Sequence, residues 1–109
     1  MKRDSAYLLD IVNSARIACD YTGGVSEDIF LADTLLQDAV LRRIEIIGEA
    51  ARRISMETRK QIDNVPWTEV VAMRNLVIHE YDGVDLSIVW QTIQTDLPLL
   101  ITELERHLT

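Results

Sequence analysis

Tyr7, Leu8, Ile11, Val12, Ala15 and Ala18 recur at three- and four-residue spacing, which predicts a first helix capped by Asp4 or Ser5 and ended by Gly23-Gly24. Ser26 then suits the cap of a short turn bearing Glu27 and Asp28, since acids are favoured at a helix N-terminus. Asp33 or Thr34 starts a long helix whose apolar stripe runs through Leu36, Val40, Ile44, Ile47, Ala51 and Ile54, close to the coiled-coil period. Leu41 and Ile46 widen the stripe, so this helix is expected to touch more than one neighbour. Gly48 lies in its middle, where glycine costs about 1 kcal/mol against alanine unless close helix contact offsets the loss, and it reads as a packing notch.

From Ser55 to Val65 the pattern is polar, a connector with a turn of helix around Thr58 to Ile62. Pro66 fits the first position of another helix, because its missing N–H would have no partner there. Trp67, Val70, Val71, Leu76 and Ile78 supply that helix's apolar surface, and Asp82-Gly83 breaks it. Asp85 can cap a last helix carrying Leu86, Val89, Trp90, Ile93, Leu97, Leu100, Ile101, Leu104 and Leu108. Pro98 interrupts that helix and predicts a kink. Four substantial helices with one or two short ones, joined by short connections, predict an all-α, antiparallel four-to-five-helix bundle.

Composition agrees. The chain has 109 residues, only 4 Gly and 2 Pro, and 48% apolar side chains, so residues 1–109 are expected to form a single domain around one core. The lone Cys19 falls in an apolar helical pattern and reads as a small buried thiol. No signal-peptide run and no membrane-spanning stretch are visible, which makes a cytoplasmic protein the expectation.

A formal charge of −7 argues at first against a phosphate-bearing partner. Its distribution modifies that: residues 42–74 hold seven basic groups against five acids, a local net of +2, and the remainder carries −9. The basic stretch is compatible with binding phosphate and equally with a solvated helix face laced with ion pairs.

Phosphate loops, paired cysteine ligands, the zinc-protease helix motif and a serine nucleophile elbow are all absent, so the candidate chemistry falls on helical side chains, with no metal site and no cofactor expected. Of the two histidines, His107 is in the last turn of the chain, where a cation complements the helix dipole. His79 stands five residues after Arg74 and two before Tyr81, with Asn75 beside the arginine. Five helical residues amount to a rise of roughly 7.5 Å and a rotation of about 140°, so Arg74 and His79 do not share a stripe. They meet if the helix frays at Ile78 and His79 turns back, or if two copies meet across a two-fold axis. Glu49 is either a helix-face salt-bridge acid or a partner for Arg74 across the bundle, and Trp67 and Trp90 read as core or dimer contacts rather than base-stacking platforms.

Arg74-Asn75, four residues from Asn75 to His79, and then Tyr81 resemble the Arg-polar-x3-His motif of the HEPN superfamily in its R-x4-H-x-Y form. Tyr7-Leu8-Leu9-Asp10-Ile11, Gln37-Asp38-Ala39-Val40, Ile46-Ile47-Gly48-Glu49-Ala50, Pro66-Trp67, Met73-Arg74-Asn75 and Asp96-Leu97-Pro98 occur in an order similar to the HepT-like toxin subfamily, over essentially the whole chain. The resemblance implies a helical homodimer acting as a metal-independent endoribonuclease, the toxin of a toxin–antitoxin pair. It makes Arg74 and His79 catalytic and Asn75 and Tyr81 supporting. The partner it implies is a minimal nucleotidyltransferase antitoxin that silences the toxin by AMP transfer to Tyr81. The alternative within the superfamily is a catalytically silent subunit that binds a nucleotide or partner within a nucleotidyltransferase complex.

Overall fold

A computed structural model describes residues 2–78 and 85–108. Their helices are α1 (Lys2–Thr22), α2 (Glu27–Ala32), α3 (Thr34–Arg52), α4 (Met56–Gln61), α5 (Trp67–Ile78), α6 (Leu86–Gln91) and α7 (Leu97–Leu108), with a π turn, Thr92–Asp96, between the last two. No strand occurs among the described residues, so the expected all-α class is what folds. Counting α6, the π turn and α7 as one continuous rod, there are four long helical units and two short ones. In space α1 packs against α3 and α7, and α3 against α5. No described helix is long and apolar enough to cross a membrane.

The boundaries follow local chemistry. Ser26, Asp33, Ser55 and Asp85 each accept a backbone N–H of the first turn they precede, which satisfies donors that have no intrahelical partner. Gly24 takes φ +76°, a conformation that costs a side-chain-bearing residue and that turns the chain out of α1. Pro66 precedes α5 rather than opening it: its carbonyl accepts from Val70 N at 3.0 Å, which makes it the cap, so the helix starts one residue later than expected.

The predicted interruption at Pro98 takes the form of the π turn. In that register Leu97 N–H reaches back five residues to Thr92 O. Residue 98 has no N–H to follow it, and the Ile93 carbonyl that such a bond would have used faces Cys19 Sγ on α1 at 3.9 Å. Cys19 is half-buried against the core rather than fully buried as expected, and burial, with a smaller contribution from Asp20, pushes its thiol up.

Leu8, Ile11, Ala15 and Ala18 of α1, Val40, Ile44, Ile47 and Ala51 of α3, and Val89, Ile93, Leu97 and Leu104 of the C-terminal rod meet in one hydrophobic cluster. Trp67 and Trp90 belong to it: Trp67 donates Nε1–H to Ile62 O at 3.0 Å, and Trp90 lies against Phe30 with ring centroids 5.3 Å apart. Both indoles are therefore core groups, as expected.

Asp4 departs from expectation. It lies inside α1 and caps nothing; its carboxylate is buried and reaches α4, where Oδ2 accepts from Ser55 Oγ and Thr58 Oγ1, both at 2.6 Å, and Oδ1 accepts from Ser55 N at 3.2 Å. Three donors on another element stabilise a buried anion better than solvent-exposed capping would. The same Ser55 hydroxyl accepts from Thr58 N and caps α4, so one side chain starts α4 and fastens it to α1.

Candidate functional site

Arg74 stands where α5 crosses α3, and the crossing is set by Gly48. A Cβ on Gly48 would sit 2.7 Å from both Arg74 Cβ and Arg74 N, so the two helices touch backbone to backbone at this point. The notch inferred from sequence is real, and what fills it is the candidate catalytic arginine. Gly48→Ala gains about 1 kcal/mol of helix propensity but must push α5 away, an overpacking cost of roughly 1–3 kcal/mol with no flexible side-chain end to yield. Thermal melting should show a lower Tm for Gly48→Ala, and unchanged or raised Tm would show that α3 and α5 separate freely.

One residue along from the notch, Glu49 forms an ion pair through Oε1 with Arg74 Nε, a contact without the alignment of a hydrogen bond, while its Oε2 accepts from Arg52 Nη2 at 3.2 Å. Both sequence readings of Glu49 therefore hold at once: it is a helix-face acid for Arg52 and the partner of Arg74 across the bundle. Arg74 Nε is buried, while the side chain as a whole is 34% exposed. An arginine side chain partly exposed and held at one nitrogen keeps further donors and is suited to receiving an anion. Asn75 is exposed next to it. His79 and Tyr81, the other members of the motif, lie outside the described residues, as does the break expected at Asp82-Gly83.

The basic stretch divides in a way that composition could not show. Arg42 pairs with Glu45 at 2.7 Å and Arg52 with Glu49, both three residues apart on α3, which is the solvated ion-pair reading. Arg59 has a structural task missed in the sequence: its Nη2 donates to Ala51 O at 3.0 Å, at the open C-terminal end of α3, and its guanidinium lies 6.0 Å from the Trp67 ring centroid. Arg59 thereby joins the end of α3 to the start of α5, the two helices that carry Glu49 and Arg74. Only the placement of α4 brings it there, and no local signal marks it.

Taken together, the described residues define an all-helical protein with an arginine fixed at a glycine-notched crossing and presented to solvent. The chain belongs to the ribonuclease HepT-like family, whose model matches residues 11–107. It is 39% identical over 105 residues to "Putative RNase MJ1380" of Methanocaldococcus jannaschii, covering 95% of this chain and 96% of that one. It is 36% identical over 107 residues to "Probable ribonuclease HepT" of Thermococcus cleftensis, covering 97% of each. A third relative, "Gamma-glutamylcyclotransferase and putative RNase MJ0434" of Methanocaldococcus jannaschii, is 42% identical over 105 residues, but this chain spans only 47% of its length. No solved structure matches the chain. Family membership and the names of these relatives support ribonuclease function.

Proposed function

We propose that the chain is a metal-independent endoribonuclease, the toxin of a toxin–antitoxin pair, with a composite site in which Arg74 and His79 of two copies come together. The observation that carries this reading is Arg74 itself, held at the α3–α5 crossing by Glu49 with its side chain about a third exposed. In cleavage by internal transfer the 2′-oxygen attacks phosphorus as its proton is removed. The P–O5′ bond breaks, and the departing O5′ takes up a proton, leaving a cyclic phosphate and a free 5′-hydroxyl. An imidazole, with an ordinary pKa of about 6.5, suits either proton step, and the role of His79 is general acid–base catalysis. Arg74 keeps its charge at any working pH and stabilises negative charge growing on the phosphoryl oxygens. Asn75 orients Arg74 or the phosphate.

A two-fold pairing of α5 answers the geometric difficulty that five helical residues place Arg74 and His79 on different faces. Tyr81, two residues beyond His79, is the acceptor for AMP transferred by a minimal nucleotidyltransferase antitoxin. In that reaction its phenolic oxygen loses its proton and bonds to the α-phosphorus of ATP as the bond to the β-phosphate oxygen breaks and pyrophosphate leaves. The bulky anion so added would keep RNA phosphate from Arg74 by repulsion.

The test is cleavage of RNA by the purified protein in EDTA. The wild type should cut, and Arg74→Ala and His79→Ala should not; an inactive wild type, or a variant that cuts equally well, overturns the reading. Glu49 enters as a positioning residue. Glu49→Gln keeps the shape but frees the guanidinium, so kcat is expected to fall about tenfold with KM and Tm little changed. A fall in Tm with kcat intact would make the pair purely structural.

A further inference from the structure

A second surface of α5 has no place in RNA cleavage. Pro66, just before α5, and Glu69, Val70 and Met73 in its first turns, spaced by 3, 1 and 3, line one side of a groove of about 350 Å³. The other wall comes from the C-terminal rod, including Asp96, Leu99 and Glu103. The floor is apolar and buried, with Val70, Met73 and Leu100 all under a tenth exposed, while Leu99 stands 65% exposed on the edge. The charged residues of the lining are all acids: Glu69 and Asp96 on the exposed rim, and Glu103, which pairs with Arg106 at 3.5 Å. Among the described residues no lysine or arginine lines it.

We infer that this groove is a docking site for a segment of a separate protein, one with an apolar anchor flanked by lysine or arginine. The apolar floor and Leu99 favour insertion of an aliphatic or aromatic side chain, and the rim carboxylates favour cations on either side of it. RNA fits poorly, because its phosphates would meet the exposed carboxylates of Glu69 and Asp96, while Arg106 beside the groove is already paired with Glu103. A second copy fits poorly: each chain carries −7 overall. Among the described residues Met56 is exposed beside the exposed bases Arg53 and Lys60, so a second copy could offer an anchor of this kind only against the repulsion of two chains that each carry −7. The groove is distinct from the exposed edge of Arg74, and the inference does not depend on the ribonuclease reading, since an inactive chain would dock the same segment.

The probe is a short synthetic helical peptide with leucines on one face and lysines on either side, compared with the same peptide carrying glutamates for lysines. Binding to the full chain is read by fluorescence anisotropy, and its location by amide chemical-shift mapping. The lysine peptide should bind saturably, with shifts concentrated at Glu69, Met73, Asp96 and Leu99, and the glutamate peptide at least tenfold more weakly. Glu69→Lys with Asp96→Lys should weaken the lysine peptide at least tenfold, and Leu99→Asp should abolish binding; these positions are exposed, and circular dichroism confirms that the variants fold. Several results would overturn the inference: equal binding of the two peptides, shifts lying elsewhere, or binding insensitive to Leu99→Asp. So would self-association in sedimentation that both Met56→Glu and Leu99→Asp abolish, which assigns the groove to a second copy, or an RNA oligonucleotide that shifts the same residues.

Discussion

Arg74→Ala and His79→Ala are each expected to lower kcat/KM for RNA cleavage by about 10²- to 10⁴-fold, with Tm changed by only a few degrees. Loss of the imidazole removes a proton carrier. Loss of the guanidinium removes a fixed charge from the place where phosphoryl charge grows. Stability should change little because Arg74 is a third exposed and Glu49 keeps Arg52 as a partner, so the ion pair is of the kind that contributes at most about 1 kcal/mol. Co-expression of the two inactive variants then separates the two ways of assembling a site. If Arg74 of one copy works with His79 of the other, a mixed dimer retains one intact pair, and activity partly returns. If a frayed helix end brings His79 back to Arg74 within one chain, no chain in the mixture has both groups, and the mixture stays inactive. Cleavage assays on the purified heterodimer, beside each homodimer, decide between them.

The largest effect on stability is expected at Asp4. Asp4→Ala leaves the Ser55 and Thr58 hydroxyls and the Ser55 N–H without their acceptor at the α1–α4 contact, a loss of about 2–3 kcal/mol by ordinary hydrogen-bond magnitudes. In a domain of this length that corresponds to a Tm lower by roughly 10–20 °C. The effect depends on pH with a definite sign. The hydroxyls of Ser55 and Thr58 hold the Asp4 carboxyl below its ordinary value, outweighing the opposing effect of burial. The unfolded chain therefore takes up this proton first as the solution is acidified, at about pH 4, and the stabilisation is present above that and lost as pH falls through the folded pKa. Thermal melts of wild type and Asp4→Ala should differ most near neutrality and converge in acid. A gap that stays constant down to pH 3 would mean that the carboxylate's charge is not what the hydroxyls bind.

Much of this architecture was legible before any coordinates, and the legible part is the local part. Ser26, Asp33 and Asp85 cap helices because each meets an N–H two or three residues away, and the apolar stripes follow from a periodicity repeated every few residues. Gly23-Gly24 and Pro98 act on the backbone in their own neighbourhood, so both interruptions fell where they were expected, although only the structure shows that the second is a π turn. Arg74 could be singled out by its motif, and Gly48 by its misfit in a helix, but nothing local tied one to the other.

Residues distant in sequence acquired their roles only through packing. Asp4 looked like a cap because caps are local, yet its donors come from Ser55 and Thr58, more than fifty positions away. Arg59 looked like part of a basic stretch, and the placement of α4 set it against the end of α3 and the face of Trp67. Glu49 could have served its own helix alone, and the crossing of α5 at Gly48 gave it Arg74 as well. The sequence by itself determined where the helices lie and which faces are apolar, since backbone hydrogen bonding and side-chain periodicity act over three or four residues. Only the tertiary structure decided which polar groups share a contact, because that depends on how closely two helices approach, and at the α3–α5 crossing the absence of one methyl group sets the distance.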